Sequence, residues 1–141
     1  MRKKNFIFSI AIFSILLLFT SCEDDFRKVD VEYEYQLMQG THEDITGTIE
    51  YVNAKGNLVS GGTISKIPFE ASFDADKGFD NVKMVITFNP LPETASIPIR
   101  LNQRASLELE DIERQFTPTQ IFSTVKEYNN FCATPQIFVI E

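Results

Sequence analysis

Few side chains in the chain could act in catalysis near neutral pH. The only imidazole, His42, lies in a polar turn beside Glu43 and Asp44, and we expect a solvated turn residue there rather than a general base. Cys132 stands between two apolar residues just before a predicted strand, where a buried, unreactive thiol is expected rather than a nucleophile or a disulfide partner. No G-x-S-x-G, phosphate-binding glycine loop or H-E-x-x-H motif occurs. The sequence therefore does not indicate an enzyme.

Three aspartates form the clearest metal-ligand pattern in the chain. Asp74, Asp76 and Asp80 surround Gly78 in a short segment, and carboxylates two residues apart can share a hard cation such as Ca²⁺. The spacing departs from an EF-hand loop, which has glycine at the sixth position and a closing glutamate, because Gly78 is fifth from Asp74. We therefore predict a polar hairpin turn here, with weak calcium binding as the alternative.

Glutamates are numerous enough to supply the two carboxyl groups with which most glycosidases work. Such a pair must face each other across a cleft, and the sequence does not select a pair. The five glutamates considered are Glu70, Glu93, Glu108, Glu110 and Glu113. A small hydrolase thus stays an alternative without an assigned site.

Alternation of apolar and polar residues with period two predicts the elements that would position these side chains. In residues 29–37 every odd position is apolar and every even position is acidic or polar, which is typical of a half-buried antiparallel strand. Further strands are predicted at 45–52, 58–66, 67–73, 82–88, 97–101 and 136–140. The aromatic residues expected in the core are Tyr33, Tyr35, Phe69, Phe73 and Phe88. The chain has no Trp, which speaks against a dedicated sugar-binding surface.

Turns and prolines suggest how the strands are arranged. Similar turn sequences at residues 53–56 and 74–78 suggest a meander of neighbouring strands. Residues 82–88 form the most apolar strand and are expected at the centre of a sheet. Pro68 and Pro98 lack the N–H that a ladder needs, so Pro68 is expected at a sheet edge or a bend and Pro98 at a sheet edge.

One helix is predicted late in the chain. Thr117 would cap it, Pro118 would be its first residue, and Gln120 would complete the capping box. Its apolar face would then contain Ile121, Phe122, Val125 and Tyr128, and Asn129-Asn130 would end it. Residues 107–111 fit either a strand or a helix. The predicted fold is mainly β, a small antiparallel β-sandwich or partly closed barrel with one short helix near the C-terminus.

The charge balance excludes several classes of partner. The chain of 141 residues contains 20 Asp and Glu and 13 Lys and Arg, a formal charge of −7. Without residues 1–21 the charge of the remaining chain is −10, spread over strand faces and the segment after Cys22, which is typical of solubility. Such a charge does not suit nucleic acid or an anionic membrane surface. The later sequence also has no long apolar run that would indicate a polytopic membrane protein.

Residues 1–21 have the three parts of a secretory signal peptide. Arg2, Lys3 and Lys4 form the positive region, an apolar stretch follows from Phe6, and the small residue Ser21 precedes Cys22. As a helix, residues 6–20 would span about 23 Å, less than the ~30 Å core of a bilayer. A cleaved signal is therefore expected rather than a retained transmembrane helix.

The segment Leu18-Phe19-Thr20-Ser21-Cys22 resembles the lipobox of bacterial lipoproteins. This resemblance covers about the first 22 residues and implies that Cys22 becomes the first residue and carries acyl chains that hold the protein to the membrane. Phe19 departs from the usual Leu or Val at its position. Two or three acyl chains would give stable anchoring, whereas one chain binds only marginally.

The acidic run after Cys22 is similar to the tether of surface lipoproteins in Bacteroidota. The run Glu23-Asp24-Asp25 implies export to the outer face of the outer membrane, and the alternative is a solvated linker on a protein that faces the periplasm. We expect a signal peptide at 1–21, a lipidated cysteine with its tether at 22–28, and a single β domain at 29–141. No family resemblance is found for that domain.

The expected function is that of a lipid-anchored envelope protein with a binding or structural accessory role. Its partner, a protein or a glycan, would be recognised through a loop end or a sheet edge. Two alternatives stay open: a small hydrolase, calcium-binding or inhibitor domain, and a structural subunit of a surface assembly that pairs through an edge strand.

Overall fold

The computed structural model describes residues 28–140, which form two packed antiparallel sheets and one helix. The elements in chain order are β1 (Lys28–Leu37), β2 (Gly47–Val52), β3 (Leu58–Thr63), β4 (Phe69–Asp76), β5 (Lys83–Phe88), β6 (Ile99–Leu109), β7 (Ile112–Phe116), β8 (Thr119–Phe122), α1 (Val125–Cys132) and β9 (Gln136–Val139). The predicted signal peptide, Cys22 and most of the tether lie outside the described residues.

The two sheets make the predicted β-sandwich rather than a partly closed barrel, because they share no strand within residues 28–140. The five-stranded first sheet has the order β4-β1-β6-β7, and β8 pairs with β6 beyond the end of β7. The four-stranded second sheet has the order β3-β2-β5-β9. The most apolar strand, β5, lies between β2 and β9, which confirms its predicted central place.

Strand β1 shows how the sequence pattern becomes structure. Its odd-numbered side chains, from Val29 to Leu37, are buried against the second sheet, and its polar even-numbered side chains face outward. An alternating strand can bury only one face, so the pattern sets which side lies against the core. The strand is interior, pairing with β4 on one side and β6 on the other.

The prediction of an edge position at Pro98 is wrong. Residues 99–109 form β6, the longest strand with 11 residues, which pairs with β1, β7 and β8. Pro98 immediately precedes the strand, so its missing N–H removes no ladder hydrogen bond. The ambiguous residues 107–109 belong to this strand, whereas Pro68 precedes β4, which is indeed an edge strand.

The predicted helix exists, but its predicted start at Thr117 is wrong. Residues 119–122 instead form β8 along β6, and the N–H of Gln103 donates to the carbonyl of Pro118 between β7 and β8. The helix begins at Val125 after a capping box in which Thr124 accepts from the N–H of Glu127. Long-range pairing with β6 therefore outweighs the local helix signal at Thr117.

The two predicted turns have different outcomes. The turn after β2 closes the β2–β3 hairpin, with the Asn53 side chain accepting from two backbone N–H groups and Gly56 at φ 78°. The turn around Gly78 instead leads from β4 in the first sheet to β5 in the second. The hairpin and meander predicted for residues 74–78 are therefore wrong, because those flanking strands do not pair with each other.

The sandwich has two distinguishable ends. We call the end where β1 begins the near end; it also holds the turn around Gly78 and the end of β9, where the N–H of Ile140 donates to the carbonyl of Val82. The opposite, far end holds the loop of residues 38–46, the loop of residues 89–98 and helix α1.

Buried polar groups in the core are paired across the two sheets. The hydroxyl of Tyr35 donates to Oε1 of Gln103 over 2.8 Å, and Nε2 of Gln103 donates to Oε1 of Gln136 over 3.0 Å. The hydroxyl of Tyr33 donates to the carbonyl of Val52 over 2.9 Å. Because a buried donor without an acceptor is costly, these bonds fix how the sheets face each other.

Candidate functional site

His42 is a structural residue of the far end, and its prediction as a solvated residue is wrong. Its side chain is only 9% exposed. Nε2 lies 3.0 Å from the carbonyl oxygen and 2.9 Å from the hydroxyl of Ser96, while the N–H of Asp44 donates to Nδ1. The ring therefore joins the two far-end loops, with both nitrogens engaged.

Cys132 lies in the buried setting that the sequence predicts. It is 9% exposed at the end of α1, and its thiol donates to the carbonyl of Asn89 over 3.6 Å. Burial raises the pKa of this thiol above its usual value, which keeps it in the unreactive protonated form. This is the environment of a packing residue rather than of a nucleophile.

The aspartates near Gly78 do not assemble into a metal site. Asp74 and Asp76 are exposed on β4, where Asp76 pairs with Lys28 of β1, and Asp80 lies beyond the turn. Among residues 28–140, no three His, Cys, Asp or Glu side chains are arranged to hold a metal ion. Within that part of the chain, the structure therefore gives no support to the calcium alternative.

Three of the five glutamates considered for acid–base chemistry do come together. Glu70, Glu108 and Glu113 line an open groove of about 530 Å³ on the outer face of the first sheet. Glu93, in the far-end loop, and Glu110, after β6, do not line it. The complete lining consists of Glu32, Tyr33, Glu34, Glu70, Ala71, Ser72, Ser106, Glu108 and Glu113.

The strand register brings the carboxylates of this face opposite one another. The like-charged pairs are Asp30 with Asp74, Glu34 with Glu70, Glu32 with Glu108, and Glu108 with Glu113. Directly opposite Cβ atoms lie about 4.5–5.5 Å apart, and like charges there destabilise a sheet. We call this surface, the outward side of β1, β4, β6 and β7, the acidic face.

Basic residues of the acidic face lie toward its two ends. Lys28 pairs with Asp76 at the near end, and Arg104 lies opposite Gln36 toward the far end. In the middle of the face the hydroxyl of Ser106 donates to Glu113 over 3.2 Å, a hydrogen bond that leaves the carboxylate charged. The surface therefore attracts positively charged groups and repels phosphates.

The predicted acidity of the outer strand faces is concentrated on one of the two sheets. The outward side of the second sheet contains a single acidic residue, Glu50, together with Lys83 and mostly threonine and aliphatic side chains. The two outer faces of the sandwich therefore differ sharply in charge. A partner that binds the first sheet contacts carboxylates, whereas a partner that binds the second sheet contacts a nearly neutral surface.

The groove is rich in carboxylates and open to solvent. Its lining contains no imidazole or thiol, and its glutamates project from strands into an open surface rather than a closed cleft. General acid–base pairs work across a cleft that surrounds the reacting bond. Carboxylates concentrated on an open surface attract positively charged groups.

Glu32 and Glu34 are the members of this groove that sequence reasoning missed. Both were visible as the polar half of β1, but nothing local indicates that Glu34 lies opposite Glu70, 36 residues later. That contact depends on β1 pairing with β4 rather than with β2, which no local pattern in the sequence specifies.

Comparisons with known proteins give no family for this chain. No family model, curated protein or solved structure matches it. Within residues 28–140, α1 is too short to span a membrane, and no longer apolar helix is present. Function must therefore be inferred from the residues themselves.

Proposed function

We propose that this chain is a lipid-anchored accessory protein of the bacterial cell envelope, whose β-sandwich binds or organises a partner there. The observation that supports this proposal most is how early in the chain the first described strand lies. Strand β1 includes Lys28, so at most residues 23–27 would separate it from an acylated Cys22. Five residues span at most about 20 Å when extended.

Such a short tether gives the domain an orientation. The near end would be held close to the lipid, and the far-end loops would point away from it. Because the acidic face is repelled by anionic headgroups, it would help to keep the sandwich standing off the surface. The far-end loops and the sheet edges then stay open for recognition of a protein or a glycan.

Palmitate labelling in cells tests the anchor. We expect the full chain to take up the label and Cys22→Ala to lose it, because no other cysteine of the chain directly follows the predicted signal peptide. Cys132→Ser is the matched control and should keep the label, since that thiol is buried in the folded domain. Label that persists in Cys22→Ala would refute lipidation at this residue.

An impermeant maleimide tests which side of the outer membrane the domain faces. Ile67→Cys places a thiol at a far-end position that is 78% exposed, and the parent chain supplies the background from buried Cys132. Labelling on intact cells is expected for a surface protein. Labelling that appears only after the outer membrane is opened would instead assign the domain to the periplasmic face.

A structural role in an assembly is the second candidate, and one specific observation favours it. The edge strand β9 has no neighbour on its outer side among residues 28–140. Edge strands of this kind can accept a further strand from another chain.

A further inference from the structure

The outer edge of β9 presents free backbone hydrogen-bonding groups. The N–H of Ile140 donates to the carbonyl of Val82, so the hydrogen-bonded pairs along β5 and β9 fall at residues 140, 138 and 136 of the second strand. The N–H and C=O groups of Ile137 and Val139 consequently point away from β5. Within residues 28–140, these groups have no backbone partner.

Three other edge strands, β3, β4 and β7, have features that discourage strand addition, and β9 does not. Charged residues occupy β4 and β7, and a bulge with Gly62 at φ 98° distorts β3. Charge, bulges and proline are the usual protections of an edge strand. The sequence of β9 is Gln-Ile-Phe-Val, which has no charge, no glycine and no proline.

A groove of about 460 Å³ runs beside this edge, between the two sheets. Its lining consists of Phe116, Thr117, Pro118, Gln136, Ile137 and Phe138. The rings of Phe116 and Phe138 have centroids 5.2 Å apart and form its floor. A strand added along β9 would place alternate side chains over these apolar groups, because side chains alternate between the two sides of a sheet.

We propose that the outer edge of β9 binds an extended, uncharged segment of another protein, which joins the second sheet as a fifth strand. The uncharged edge and its apolar groove match a segment with apolar side chains at alternate positions, whereas a charged segment would lose hydration without gaining an ion pair. Ile137, which is 61% exposed, would be covered by the added strand.

A second copy of this chain is a poorer fit as the occupant, and this choice rests on the proposed lipid anchor. Antiparallel pairing of β9 with its own copy would point the two near ends in opposite directions. The ten residues of β1 span about 33 Å, so the start of the second copy would lie farther from the lipid than its tether of about 20 Å can reach. Another protein has no such restriction.

A synthetic peptide tests the proposal on the chain from residue 22 with Cys22→Ala, which retains the whole described sandwich and needs no membrane. The probe is an acetylated, amidated hexapeptide of alternating threonine and valine with a fluorescent label. We expect saturable binding by fluorescence polarisation, and hydrogen exchange slowed at least tenfold at the amides of Ile137 and Val139. The same peptide with alternate N-methylated residues cannot complete the ladder and should bind at least tenfold more weakly.

Two variants locate the binding on β9. Ile137→Lys should weaken binding at least tenfold, because it places a charge on the edge, and Ile67→Lys should leave binding unchanged as the matched exposed control. Absence of binding at millimolar peptide, or equal binding by Ile137→Lys, would overturn the proposal. Self-association in sedimentation that Ile137→Lys abolishes would overturn the assigned occupant in favour of a second copy. None of these results depends on the palmitate labelling of Cys22.

Discussion

Glu70→Lys should stabilise the domain, because it converts a like-charged pair on the acidic face into an attractive one. Glu70 lies directly opposite Glu34 in the β1–β4 register. For unit charges about 6 Å apart in water, Coulomb's law gives about 0.7 kcal/mol, so reversal of one charge changes the interaction by at most about 1.4 kcal/mol. Screening and side-chain entropy reduce the gain, and cross-strand pairs contribute about 0.2–1 kcal/mol each. We therefore expect about 1 kcal/mol.

Thermal unfolding followed by circular dichroism measures this gain. For a domain of this size, about 1 kcal/mol corresponds to a Tm higher by about 4 °C. The control is Glu93→Lys, which makes the same change of net charge in an exposed far-end loop outside the acidic face. The measurement is made at low ionic strength and again at 1 M NaCl, where the Debye length falls to about 3 Å.

Two results would refute this reasoning. If Glu93→Lys raises the Tm as much as Glu70→Lys at low salt, the gain comes from net charge rather than from the cross-strand pair. If the gain of Glu70→Lys persists at 1 M NaCl, the gain is not electrostatic. The unmodified chain should itself gain stability between low and high salt, because screening weakens the repulsion within the acidic face.

Three further results are expected. Thr124→Ala should lower the free energy of unfolding in urea by about 1 kcal/mol, because it removes the helix cap, whereas Thr117→Ala should have little effect because Thr117 caps no helix. Burial raises the pKa of Tyr33 to about 12, against 10.0 for an ordinary tyrosine, so stability that is intact below pH 10 should fall as the pH rises from 10 to 12. Absorbance at 295 nm would follow this titration, and in Tyr33→Phe the loss of stability should be smaller. Cys132 should react with a thiol reagent in urea but not in the native state, and rapid native reaction would contradict its assignment as a packing residue.

The fold class could be predicted from the sequence because one physical rule acts locally along most of the chain. A strand with one buried face must alternate, and β1 does so without exception from Val29 to Leu37. Prolines were less informative, since Pro98 looks like an edge residue only if it lies inside its strand. If the strand begins one residue after Pro98, the proline lies outside it and no edge position is required. The sequence does not locate strand ends to within one residue.

The start of helix α1 could not be predicted from local sequence signals alone. Thr117 with Gln120 and Thr124 with Glu127 are two copies of the same capping pattern, seven residues apart. Only the second is used, because the segment after Pro118 pairs with β6 in the first sheet. A choice between equal local signals is thus made by a contact with a distant strand.

The acidic groove was beyond prediction for a related reason. The sequence shows that glutamates alternate along β1 and occur in β4 and β6, but the groove exists because these three strands are neighbours. Strand order reflects the packing of the whole sandwich rather than any one segment. The individual residues of a surface can therefore be predicted while their grouping cannot.

Both limits of the described chain lie at the near end. Lys28 opens β1 there, and Ile140 follows β9 at the same end, beside the carbonyl of Val82. A domain whose limits lie at the same end can be spliced into a surface loop of a host protein, or rejoined by a linker and reopened at a far-end loop. The sandwich is consequently suited to circular permutation. A fluorescent protein fused after Ile140 would lie at the near end, away from the far-end loops.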